Sequence, residues 1–312
     1  MLRRVIIDTD PGVDDTLALI LALNSPELDV ELITTVAGNV SVEQGTANLL
    51  RILGVLGRHD VPIARGSSRP LKYPLADSGG VHGEDGLGDI DPVKYPPAEG
   101  VEPSRLAAAE AILRTIRANP AAITIITLGP LTNLALALLI DSQAAAAVKK
   151  IIAMLGAISV PGNVTPAAEF NAYCDPHAAA IVLESGVDIT LVGLDVTQQV
   201  RLSRQVFESR AKQKGPVSNF LADCTRHYFD VHRQAKLTGC YLHDPLAVAV
   251  ALDPSLVATR EVFVQVETSA GPARGMTIAD LRPAAEGKAN AKVCLEVDSD
   301  RFLELFLTRT LG

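Results

Sequence analysis

The chain has 312 residues, 48% hydrophobic and 21% charged, with a formal net charge of −8. That is ample material for a sizeable core. Lys and Arg are scattered with no basic stripe, which leaves nucleic-acid binding without an electrostatic basis, and the acidic balance disfavours anionic membranes.

In chain order, short β-branched runs alternate with helical patterns. Val5–Asp8 reads as a strand and Asp14–Leu23 as a helix. Val30–Ala37 is a second strand, followed by a helix over Val42–Leu56. The stretch Arg65–Val101 is rich in Gly, Pro, Asp and Ser and reads as a long loop, of the kind that usually carries function or moves. Ser104–Ala118 looks helical, Ile123–Leu128 a strand, Leu131–Ile140 a helix. Ile151–Leu155 and Ile189–Val192 continue the strands, with a helix at Pro176–Glu184 between them. Helical patterns return at Val217–Gln234 and Asp244–Leu252. After Asp253 come short strands and a last helix near Asp300–Leu307. Such alternation predicts an α/β fold with a mostly parallel central sheet flanked by helices. No repeat, low-complexity tract or composition shift marks a linker, so residues 1–312 are expected to form a single domain.

The uncharged run Ala121–Ile140 could pass for a membrane span. Gly129-Pro130 interrupts it and Thr124, Thr127, Thr132 and Asn133 dilute it, which predicts strand, turn and helix. Arg3 and Arg4 precede only Val5-Ile6-Ile7 before Asp8, too short for a secretory h-region. The four cysteines, Cys174, Cys224, Cys240 and Cys294, form no C-x-x-C pair. They are expected to be small buried thiols in a cytoplasmic protein, with neither a zinc site nor a disulfide framework.

Four short strings carry chemistry. Asp8-Thr9-Asp10-Pro11-Gly12-Val13-Asp14-Asp15 spans the end of the first strand and the start of the first helix, where α/β sheets bind ligands. Four carboxylates within eight residues repel one another unless positive charge sits among them. A helix N-terminus supplies some of it and a divalent cation more, and Ca²⁺ favours an oxygen-rich cage of this kind. Taken singly, Asp14 or Asp15 reads equally well as a cap of the first helical turn. Leu128-Gly129-Pro130 follows another strand, where a backbone carbonyl can serve as a ligand, although Gly-Pro also simply marks a turn. Asn163 to Asn171 packs two amides and Glu169 into nine residues, groups suited to sugar hydroxyls or, more plainly, to a polar loop. His243-Asp244-Pro245 opens a helix, so Asp244 is also a natural N-cap and Pro245 a natural first residue. His243, next to Asp244, offers a proton donor for a leaving group near neutral pH, although a lone His more often has a structural role.

Together these strings resemble the inosine–uridine-preferring nucleoside hydrolase family, from Val5 to about Leu252. D-T-D-P-G-x-D-D, A-E-F-N and H-D-P, in this order and spacing, carry the resemblance. It implies a single Rossmann-like α/β domain, assembled as a homodimer or homotetramer, that cleaves the N-glycosidic bond of ribonucleosides. It further implies a Ca²⁺ ion held by Asp10, Asp15, Asp244 and the Leu128 carbonyl, with Asp10 as general base on water activated by the ion. Asp14 then contacts the ribose 2′-hydroxyl, while Asn163, Glu169 and Asn171 hold the 3′- and 5′-hydroxyls. Asn39, His82, Met154 and Phe170 complete the substrate contacts, and His243 acts on the leaving base. Tyr228 and His232 are both candidates for a further ring against the base. The chemistry is coherent: ribosyl transfer to water passes through an oxocarbenium-like state that nearby carboxylates stabilise.

Two alternatives fit part of the sequence. Asp8-Thr9-Asp10 also resembles the nucleophile motif of haloacid-dehalogenase-type phosphatases, which want Thr or Val where this chain has Gly12. Mg²⁺-dependent phosphate release would support that reading. A non-catalytic, Ca²⁺-dependent nucleoside-binding protein would share the same ligands, and would bind uridine or inosine without releasing ribose.

Overall fold

Val5, Ile6 and Ile7 are wholly buried in the first strand, as a central parallel strand covered on both faces requires. The computed structural model describes residues 2–76, 78, 80–212, 215–282 and 287–312. Strands β1 (Arg3–Thr9), β2 (Leu28–Thr35), β3 (Ile63–Arg65), β4 (Thr124–Thr127), β5 (Lys150–Ala153) and β6 (Ile189–Leu191) pair in parallel. Small antiparallel ribbons are made by β7 (Arg201–Leu202) with β8 (Cys240–Tyr241), and by β10 (Val264–Val266) with β11 (Thr277–Ala279). With β9 (Val257–Val262) and β12 (Ala291–Val297), the main sheet runs β3-β2-β1-β4-β5-β6-β12-β9, antiparallel only at its β12–β9 edge.

The helices are α1 (Val13–Leu23), α2 (Val42–Leu56), α3 (Ala108–Ala118), α4 (Thr132–Ile140), α5 (Ser142–Ala146), α6 (Phe170–Cys174), α7 (Pro176–Leu183), α8 (Leu194–Thr197), α9 (Arg204–Ala211), α10 (Pro216–Gln234), α11 (His243–Leu252) and α12 (Ser299–Leu311). Successive strand residues point to opposite faces. Ile7 accordingly joins a core with α1, α10, α11 and α12, and Ile6 a second core with α3, α4 and α7. The sheet is thus the middle of three layers, the α/β architecture that the alternation predicts.

The region 121–140 resolves into β4, a turn and α4, and among the described residues no helix is long and apolar enough to cross a membrane. All four cysteines are free and buried. Several boundaries shift by a few residues; α3 starts at Ala108 rather than Ser104. The Ser104 amide instead donates to the Ile63 carbonyl at 2.8 Å and bridges to β3, which holds the preceding backbone extended. The elements missed from sequence (β3, α5, α6, α8, β7, α9 and β8) are of two to eight residues, too short to establish a hydrophobic period.

Candidate active site

The chain leaves β1 to build β2 and β3 on one side, then crosses to β4 on the other. The strand order therefore reverses between β1 and β4, and open α/β sheets bind ligands at the carboxyl ends of such strands. Asp10 leaves β1 there and Leu128 leaves β4; the Leu128 amide donates to the Asp8 carbonyl at 2.8 Å, holding the two exits side by side. Asp10 is wedged between glycines: a Cβ at Gly38 would lie 2.0 Å from its Oδ2, and one at Gly129 2.5 Å from its Oδ1. Close backbone approach at these two positions is what lets the carboxylate occupy the switch point.

Asp10, Asp14, Asp15 and Asp244 are all buried. Carboxylate oxygens of Asp14, Asp15 and Asp244 lie within 4.8 Å of one another. Asp15 is the most firmly held. Its Oδ1 accepts from the Thr9 hydroxyl and from the Asp10 amide at 3.2 Å, and its Oδ2 from the Gly12 amide and the Asn39 side-chain amide, both at 3.0 Å. The capping role expected of an Asp in the first turn of α1 is therefore filled alongside its place in the cluster. Asp10 Oδ2 accepts from the Asn39 backbone at 2.7 Å, while its Oδ1, like Asp14 Oδ1, is buried with no hydrogen-bond partner among the described residues. Burial first, and then the neighbouring carboxylates, push Asp10 and Asp244 well above the usual carboxylate range and Asp14 up to about 8. Among the described residues no Lys or Arg pairs with any of them; the nearest charged-type contact is His82 Nδ1, 3.6 Å from Asp14 Oδ1. Clustered buried carboxylates with orphaned oxygens and no basic partner fit a divalent cation with oxygen ligands.

A cavity of about 520 Å³ opens above this cluster. Asp14 and Asp244 reach it, whereas Asp10 and Asp15 lie beneath its floor. Asn39 and His82 line it from the segments after β2 and β3, and Leu128 from the end of β4; Met154, Asn163, Glu169, Phe170 and Asn171 line it from the segment after β5. Asn171 donates its side-chain amide to the carbonyls of Leu128, at 2.6 Å, and Met154, at 3.0 Å. Glu169 caps α6: its carboxylate accepts the amides of Gly156 at 3.0 Å, Asn171 at 2.8 Å and Ala172 at 3.1 Å. Asn163 accepts the Phe170 amide at 2.9 Å, closing the loop.

The opposite wall is aromatic. Tyr228 and His232, one turn apart on α10, both line the cavity. They belong to a run of neighbouring rings from His82 through Tyr228, His232 and Tyr241 to His243, with centroids 4.4 to 5.6 Å apart. Sequence reasoning found the ends of this run and the α10 pair. It missed Tyr241, for which a position two before His243 was the available signal. It also missed the apolar lining of Val81, Val231 and Leu237, which carry no chemical signature. His82 Nδ1 accepts the Val13 amide at 3.1 Å, so the ring proton sits on Nε2; burial holds its pKa down to about 4. Asp8, the nucleophile of the phosphatase alternative, is away from the cavity lining and accepts from the Thr34 hydroxyl at 2.6 Å and the Asn133 amide at 2.8 Å.

Residues 5–304 match the model of the inosine-uridine preferring nucleoside hydrolase family. The chain is 39% identical over 311 residues to the pyrimidine-specific ribonucleoside hydrolase RihA of Citrobacter koseri, covering 99% of this chain and 98% of that protein. Among solved structures it is similar to a plant nucleoside hydrolase (TM-score 0.93, 37% identity, 100% of both chains). It is also similar to a purine-preferring ribonucleoside hydrolase from Gardnerella vaginalis (TM-score 0.92, 36% identity, 99% of this chain and 98% of that one). With the carboxylate cluster at the switch point and the cavity above it, these likenesses place the chain in the inosine–uridine preferring nucleoside hydrolase family, enzymes that cleave the N-glycosidic bond of ribonucleosides.

Proposed function

We propose that the chain hydrolyses ribonucleosides to free base and ribose with Ca²⁺ as its cation, Asp10 as general base and His243 at the leaving group. The observation that carries this reading is the set of four buried carboxylates, two with orphaned oxygens, under a cavity of nucleoside size walled by rings. Asp10, Asp15, Asp244 and the Leu128 carbonyl are the proposed ligands. The grouping of Asp14 with Asp15 and Asp244, and its place in the cavity lining, support a role for Asp14 beside the ion and at the ribose 2′-hydroxyl. When bound, Ca²⁺ offsets the carboxylate charge and lowers the pKa of water in contact with it.

Asp10 suits the base role because Asn39 fixes one oxygen and the other has no protein partner, leaving it free to take a proton from attacking water. Asn39 and Asn163 offer amide N–H donors, Asn171 its amide oxygen (both its N–H groups are held by the Leu128 and Met154 carbonyls), and Glu169 the one lone-pair site left by its three backbone donors, for the sugar hydroxyls. Met154 and Phe170 supply apolar wall and His82 an Nε2–H donor. As the C–N bond breaks its electron pair leaves with the base, and the carboxylates stabilise positive charge on the sugar. Burial pushes the His243 pKa down to about 3, so the ring acts in its neutral form, stabilising the departing base through an N–H hydrogen bond. Assembly as a homodimer or homotetramer belongs to the same proposal and is read by light scattering.

The test is ribose release across a panel of purine and pyrimidine ribonucleosides, with Ca²⁺ and after chelation. Turnover that chelation abolishes and Ca²⁺ restores is expected. No turnover on any nucleoside with Ca²⁺ present would overturn the reading, and tight binding without ribose release would favour the non-catalytic alternative.

A further inference from the structure

His243 Nδ1 lies 2.7 Å from the hydroxyl of Thr197, the last residue of α8. Thr197 is completely buried, and among the described residues its hydroxyl has no other hydrogen-bond partner. Two arrangements satisfy this contact. In one, the hydroxyl donates to a bare Nδ1. In the other, an Nδ1–H donates to the hydroxyl, whose own proton then points into packed protein with nothing to accept it. The second leaves a buried donor unmade and the first does not. With Nδ1 accepting, the neutral ring carries its proton on Nε2, the nitrogen without a hydrogen-bond partner among the described residues, on a side chain that lines the cavity.

The hydroxyl is also rigidly placed. α8 follows β6 at the same sheet end as the site. Asp195, on the same short helix, accepts the amides of Ile158 at 2.8 Å and Ser159 at 2.7 Å, tying α8 to the segment after β5 that forms the facing wall.

We propose that Thr197 is the positioning residue that fixes the tautomer and ring orientation of His243, so that the ring presents an N–H to the departing base. The inference rests on the assignment of His243 to the leaving group made above. Thr197 touches neither substrate nor ion; it acts through His243 alone.

The test compares Thr197→Val, which keeps shape but removes the hydroxyl, Thr197→Ser, which keeps the hydroxyl, and His243→Ala, all with Ca²⁺. Each is assayed on uridine and inosine, whose bases leave poorly, and on 4-nitrophenyl riboside, whose leaving group needs no assistance. Thr197→Val should lower kcat on the nucleosides by roughly tenfold, a part of what a positioned acid contributes. KM and the aryl riboside rate should change little, and Thr197→Ser should recover the nucleoside rate. Histidine-selective ¹⁵N NMR should report an Nε2–H ring for His243 in the parent protein and a mixture of tautomers in Thr197→Val. Equal loss on the aryl riboside, an unchanged tautomer in Thr197→Val, or an Nδ1–H ring in the parent would overturn the inference. If His243→Ala loses nucleoside turnover selectively while Thr197→Val does not, only the role of Thr197 fails. If His243→Ala shows no selective loss, the leaving-group assignment itself fails.

Discussion

Asn171 donates its side-chain amide to the Leu128 carbonyl at 2.6 Å, so the carbonyl expected to face the cation is held in place from the far side of the switch point. The same nitrogen reaches the Met154 carbonyl at 3.0 Å, joining the ends of β4 and β5. A carbonyl has two lone pairs, and Asn171 takes one while leaving the other for an ion. Asn171→Ala should therefore do two separable things. It should destabilise the metal-free chain by about 1–3 kcal/mol, the cost of buried acceptors left unpaired. It should also weaken Ca²⁺ affinity, seen as a smaller rise in Tm at a fixed ion concentration. An unchanged Ca²⁺-dependent Tm shift would show that the Leu128 carbonyl is no ligand.

Asp10→Asn separates charge from shape. The amide oxygen of Asn can still accept the Asn39 amide, and the flanking Gly38 and Gly129 accommodate a side chain of the same size. Turnover should fall by about 10²–10⁴-fold, the usual contribution of a general base. Without Ca²⁺ the variant should melt no lower than the parent, because burial and the neighbouring carboxylates disfavour the charged form of Asp10 and Asn carries no charge. A parent-like rate would remove Asp10 from the mechanism.

The strings that placed the site in the sequence were legible because they put unusual chemistry next to itself. Four Asp residues between Asp8 and Asp15 have no ordinary explanation at a strand end, and A-E-F-N and H-D-P lie where the fold then closes on them. Which oxygens converge was not legible. The tight group is Asp14, Asp15 and Asp244, with Asp10 just below the cavity, because side-chain direction at a strand-to-helix turn depends on backbone angles that spacing does not encode. Glu169 reads as a sugar ligand, yet three backbone amides already occupy its carboxylate as the cap of a five-residue helix too short to leave a periodic trace. Thr197 was invisible for a different reason. A single Thr 46 positions from His243 gains meaning only once β6 and α11 bring the two together.

The metal-free chain should lose stability as pH rises above neutrality. A carboxyl whose folded pKa is raised contributes stability that is complete below its unfolded value and disappears as pH climbs through the folded one. Asp14 has a folded value of about 8 against 3.8 when unperturbed. Above pH 6.5, the ordinary histidine value, His82 and His243 are mostly neutral whether folded or unfolded, since burial only lowers them further. Urea midpoints in chelator should therefore fall between pH 6.5 and about 8.5. With Ca²⁺ at a hundredfold excess over its Kd, the midpoint should rise by the equivalent of about 2.7 kcal/mol and the slope should flatten. A flat profile in chelator would show that burial and the neighbouring carboxylates do not raise the pKa of Asp14 in the folded chain.

His82 offers the sharpest separation of architecture from substrate contact. Its Nδ1 accepts the Val13 amide in the first turn of α1, where helix donors have no partner within the helix, and its Nε2–H is left for the cavity. Asn can reproduce the Nδ1 acceptor with its amide oxygen but cannot reach as far as Nε2. His82→Asn should hold Tm near that of the parent and raise KM for nucleosides. His82→Ala should raise KM and also destabilise the fold by about 1 kcal/mol, as the loss of a helix cap does. The ring also stacks on Tyr228 at 5.6 Å, so both variants loosen that aromatic wall equally, and the difference between them isolates the Val13 hydrogen bond. Equal Tm values for the two variants would mean that water replaces the Nδ1 acceptor without cost, and that His82 serves the substrate alone.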